Sequence, residues 1–107
     1  MIALAVALVL AGDHPNDTVV GNYILCVRRM AVRLEPSGES PMDIADAAKA
    51  YCPTARTAGL NSSRDVKGGT AISIGEMESG ASFSGRSQVV VTRLCRKTKD
   101  CGLTSIP

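Results

Sequence analysis

The chain opens on an apolar run, MIALAVALVLA from Met1 to Ala11, and turns polar at once with Gly12, Asp13, His14, Pro15, Asn16 and Asp17. The run is well short of the roughly 20 apolar residues that span a bilayer. It has the length of a signal-peptide core, and Val9-Leu10-Ala11 offers small residues for cleavage. The expectation is a signal peptide over 1–11 and one small helical domain over 12–107. No Lys or Arg precedes the run, and no Cys stands at the cleavage point to take a lipid anchor. A buried strand or helix of a cytosolic protein is the competing reading of the same residues.

Beyond the switch, Val20, Tyr23, Ile24, Val27, Met30, Ala31 and Leu34 recur at three and four, the period of one helix face. Asp17-Thr18 can cap this helix, and Arg28, Arg29 and Arg33 suit its C-terminal dipole. The stretch Glu35-Pro36-Ser37-Gly38-Glu39 ends it. Ser40 and Pro41 then restart a helix as N-cap and first helical position, with Asp43 three beyond the cap. Pro41, Ile44, Ala45, Ala48, Tyr51 and Cys52 make its apolar face, and Pro53 ends it.

From Thr54 to Gly85 the pattern dissolves into scattered glycines and serines, which reads as a Gly/Ser-rich loop over 54–85. The segment Ser87 to Lys99 is ambiguous. Val89, Val90 and Val91 favour a strand, yet Phe83, Val90, Val91, Leu94 and Cys95 fit helical spacing, with basic residues and Gly102 at the far end. The fold class expected is mainly α: a disulfide-stapled antiparallel helical hairpin plus a C-terminal third helix. The alternative is α+β, with a small hairpin pairing 70–74 with 88–94.

The 107 residues fit one domain, and only Tyr23, Tyr51 and Phe83 are aromatic. Such a core is thin, and a domain of this size needs a staple. Four cysteines, Cys26, Cys52, Cys95 and Cys101, allow three connectivities. In a hairpin turning near Gly38-Glu39, Cys26 and Cys52 lie at equal distances from the turn and face each other. That favours Cys26–Cys52, with Cys95–Cys101 closing a short loop. Zinc and redox chemistry fit poorly, for there is no C-x-x-C and the only histidine is His14.

The net charge of +2 does not call for a polyanionic partner, and no nucleic acid is expected. No G-x-S-x-G, P-loop, G-x-G-x-x-G or H-E-x-x-H occurs. Asp43 and Asp46 read as first-turn carboxylates that complement a helix dipole. No catalytic residue, metal ligand or cofactor site is expected, and no enzymatic activity.

Tyr23–Ala31 (Y-x-x-C-V-x-x-x-A) and Ile44–Cys52 (I-A-x-A-A-x-x-x-C), with Val89–Arg93 as a weaker third stretch, resemble short exported proteins of sphingomonad-type alphaproteobacteria. The resemblance covers about half the chain. It implies a periplasmic or secreted location and a helical hairpin, and no activity.

The function expected is a small exported binding or structural domain that recognises another envelope or extracellular protein. The alternative is a cationic module that holds an anionic envelope or membrane surface through Arg93, Arg96, Lys97 and Lys99.

Overall fold

The computed structural model describes residues 15–65 and 72–99, and the side chains of Pro15 and Asp65 fall outside that description. The expected signal peptide at 1–11, and Cys101, lie outside the described residues.

The described residues form four α-helices: α1 (Pro15–Leu34), α2 (Pro41–Ala50), α3 (Pro53–Asp65) and α4 (Ile74–Thr98). A short 3-10 turn, Glu35–Ser37, follows α1 and stops at Gly38, whose φ of 80° suits a residue without Cβ. The Ser40 hydroxyl then caps α2 by accepting from the Asp43 N–H at 3.2 Å, with Pro41 at the first helical position. The α1–α2 hairpin stands as the hydrophobic pattern predicts, and the Cys26–Cys52 disulfide closes it with Cα atoms 6.2 Å apart.

The loop expected over 54–85 is corrected. Residues 53–65 and 74–85 are helical. Pro53 stops α2, but it also opens α3, where a missing N–H costs nothing. The Cys52 carbonyl accepts the first turn's bond from Arg56 N–H at 3.0 Å. Ser73 and Glu76 form a reciprocal capping box that starts α4. Those two caps outweigh the scattered glycines. Residues 88–94 lie in the middle of α4, and no strand is present among the described residues, so the β-hairpin alternative fails.

Pairings along the helices set the topology. Asn16 meets Ile72, Tyr23 meets Glu78, Arg28 meets Gln88 and Glu35 meets Arg93, so α1 and α4 run parallel. Asn16 also meets Ser62, so α3 runs against α1. The hairpin makes α2 antiparallel to α1 as well. Helices α2 and α3 are thus one descending column, broken at Tyr51–Pro53, packed against two ascending ones that also touch each other. The core lies along their common axis: Val20, Tyr23, Val27, Ala31, Ile44, Ala45, Ala48, Cys52, Met77, Ala81 and Val89.

The small residues explain the close fit of α4. A Cβ placed on Gly85 would come within 3.0 Å of the Ala45 Cβ and 3.2 Å of Val27 Cγ1. A Cβ on Gly59 of α3 would overlap the Met77 sulfur. Helix α4 therefore buries Met77, Ala81, Gly85, Gln88 and Val89. Of the residues that fit helical spacing here, Phe83, Val90 and Leu94 turn outward, while Val91 and Cys95 are half-buried. Tyr51, placed on the α2 apolar face by its spacing, is also exposed, because α2 ends one residue before it.

Candidate functional site

Four features carry chemistry or shape, and the first three follow from how α4 is seated.

The first is the buried carboxylate of Glu35. The 3-10 turn after α1 points this side chain inward, where it is 2% exposed. Arg93 Nε donates to Oε2 at 3.1 Å and Arg96 Nη1 to the same oxygen at 3.0 Å, while Arg96 Nη2 closes on Oε1. Arg93 also donates to the Glu39 carbonyl. The Arg96 hydrogen bonds do most to hold the carboxyl below the usual carboxylate range, against the cost of burial, with Arg93 assisting. Of the four cations expected to serve an anionic surface, Arg93 and Arg96 are therefore drawn together onto the fold's own carboxylate. Lys97 and Lys99 stay exposed. Lys99 turns left-handed, with φ of 61°, and caps α4 by donating its N–H to the Cys95 carbonyl at 2.7 Å.

The second is a polar network centred on Glu78, facing α1, α2 and α3. Its Oε1 accepts the buried Tyr23 hydroxyl at 2.8 Å, and its Oε2 accepts Arg56 Nε at 2.7 Å. Lys49 Nζ stands 3.7 Å from Oε1 and donates to the Ser82 hydroxyl at 3.1 Å. Burial, reinforced by the anionic Glu78, pushes the Tyr23 phenol far above its ordinary range. Burial works against ionised Glu78, but the hydrogen bonds from Arg56 and Tyr23 and the charge on Lys49 outweigh it and hold the carboxyl low. Met42, Lys49, Glu78, Ser79, Ser82 and Arg86 line a cleft of about 310 Å³ here. The Arg86 Nε–H is shut off from solvent and has no acceptor among the described residues.

The third is the outer face of α4. Phe83 is 63% exposed, Val90 53% and Leu94 56%. With Ser87 and Lys97 they recur at four and three, the spacing of a helix-packing seam. Phe83, Arg86, Ser87, Val90 and Val91 bound a shallow depression of about 380 Å³. The sequence shows these apolar positions plainly. It does not show which of the two stripes on α4 faces in.

Beside the disulfide, Val19, Asn22, Cys26, Tyr51, Cys52, Pro53, Thr54, Ala55 and Ala58 border an apolar hollow of about 440 Å³ at the α2–α3 break. Cys95 is not free, and its expected partner Cys101 lies outside the described residues. Asp43 is a surface carboxylate in the first turn of α2. Among the described residues no group of three His, Cys, Asp or Glu side chains could hold a metal ion. No helix among them is long and apolar enough to cross a membrane.

No family model, curated protein or solved structure matches the chain.

Proposed function

We propose that this chain is a small binding domain of an oxidising compartment, periplasmic or secreted, that recognises another protein through the outer face of α4. The carrying observation is that Phe83, Val90 and Leu94 stand exposed in one stripe opposite the stripe that builds the core. Exposing a Phe, a Val and a Leu in register gives up burial worth about 1.5–3 kcal/mol each. Contiguous apolar faces of this kind mark interaction sites. The four–three spacing suits an amphipathic helix laid along α4. Lys97 continues the register of the stripe, so a carboxylate beside the partner's apolar residues complements it. The Cys26–Cys52 bridge supports the compartment, since disulfides persist where the environment is oxidising. For the alternative, an anionic surface, Lys97 and Lys99 are the two of the four that make no ion pair among the described residues.

The test is affinity capture from an envelope fraction with the mature domain and with a Phe83→Glu, Val90→Glu variant. The expected result is one protein held by the first and lost by the second, at unchanged melting temperature. Identical captured sets would exclude the α4 face.

A further inference from the structure

We propose that the cleft between α2 and α4, walled by Met42, Lys49, Ser79, Ser82 and Arg86, binds a small tetrahedral oxyanion of the phosphate class. This does not depend on the protein-binding reading above. One carboxylate faces the cleft, Glu78, and it is already spoken for. Tyr23 donates to one of its oxygens and Arg56 to the other, with Lys49 nearby. Around that single negative charge stand Lys49, Arg56 and Arg86, so positive charge is in excess. Arg86 lines the cleft and makes no ion pair with a described residue; its Nε–H is shut off from solvent, so its terminal Nη groups are the donors on offer. The Ser82 oxygen accepts from Lys49 at 3.1 Å, which leaves the hydroxyl proton to be donated.

The cleft thus offers an ammonium from α2, and a guanidinium and hydroxyls from α4. Donors arriving from two helices suit an anion whose oxygens point in several directions better than a planar carboxylate. Lysine supplies a point charge and arginine a directed donor, the pair that commonly holds phosphate. At about 310 Å³ the cleft has room for such a group and a short substituent. Met42, half exposed, forms an apolar wall on which an alkyl substituent can lie.

The experiment is a titration of the full domain, followed by the NMR signals of the Arg86 Nε–H and the Ser82 amide. Inorganic phosphate and acetate are compared at fixed ionic strength and pH. Saturable shifts with phosphate, at least about tenfold weaker with acetate, are expected. Arg86→Gln should weaken phosphate binding roughly tenfold, as loss of a charged hydrogen bond does, with the melting temperature unchanged because Arg86 has no ion-pair partner among the described residues. Butyl phosphate identifies the source: binding tighter than inorganic phosphate supports a monoester, and equal binding supports free phosphate. No saturable shift, equal response to acetate, or an Arg86→Gln variant that binds phosphate undiminished would overturn the proposal.

Discussion

Glu35 and Glu78 show how two side chains tie α4 to the rest of the chain. Both are carboxylates held below their usual range by cationic partners. The folded state therefore favours their ionised forms. Their stabilising contribution is complete above the unfolded carboxylate range, near about pH 4.3, and is lost as pH falls through the lower folded values. The melting temperature should be level from neutral pH to about 5 and fall steeply below about 4. Glu35→Gln should flatten that acid slope and cost about 1–2 kcal/mol at neutral pH. That figure sits at the low end for charged hydrogen bonds because Arg93 and Arg96 are partly exposed. Thermal melts across pH check both. A steeper acid slope in the variant would show that Glu35 is not the linked group. Little of this is legible in the sequence. Ser40, Pro41 and Asp43 announce a cap because capping is local. Glu35 sits in a helix-breaking stretch, and its partners lie about sixty residues away, where no spacing rule reaches.

At the level of elements, the instructive case is α4. Its Ser73-Ile74-Gly75-Glu76 start is a capping box written in the sequence, yet the alternation around it suggests a strand. Its glycines suggest a loop, though Gly85 is there because Ala45 and Val27 leave it no room for a Cβ. Composition reports the presence of small residues, while only the packed neighbour gives their reason. Two glycines separate the effects. Gly21 lies exposed in the interior of α1 with nothing within 4 Å of a built Cβ. Gly21→Ala should stabilise the domain by about 0.5–1 kcal/mol through helix propensity alone. Gly85→Leu should destabilise it by about 1–3 kcal/mol or more, because the side chain must displace the Ala45 backbone. Denaturant unfolding of the two variants side by side checks the seating of α4. A neutral Gly85→Leu would mean that α4 does not approach α2 so closely.

On the scale of the whole molecule, the disulfide and the broken middle column define the architecture. The hairpin was readable because its period, its turn and its two equidistant cysteines all pointed to one geometry. The α3 column was not, since Pro53 serves as both stop and start. The bridge joins residues 26 apart, so changing Cys26 and Cys52 together to Ala should cost about 2–5 kcal/mol. A domain this size has about 5–15 kcal/mol to lose, so the melting temperature should drop greatly under non-reducing conditions. An unchanged melt would mean that α1 and α2 need no staple. The central claim is that α4 faces two ways, inward to build the fold and outward to bind. A photo-crosslinking residue placed in turn at Phe83, Val90 and Leu94, with Arg29 on the exposed side of α1 as control, tests it most directly in cells that make the protein. The account predicts one common adduct at the three α4 positions, mapped to an amphipathic helix of the partner, and none at Arg29. Adducts that are absent at all three α4 positions, or the same at Arg29, would contradict it.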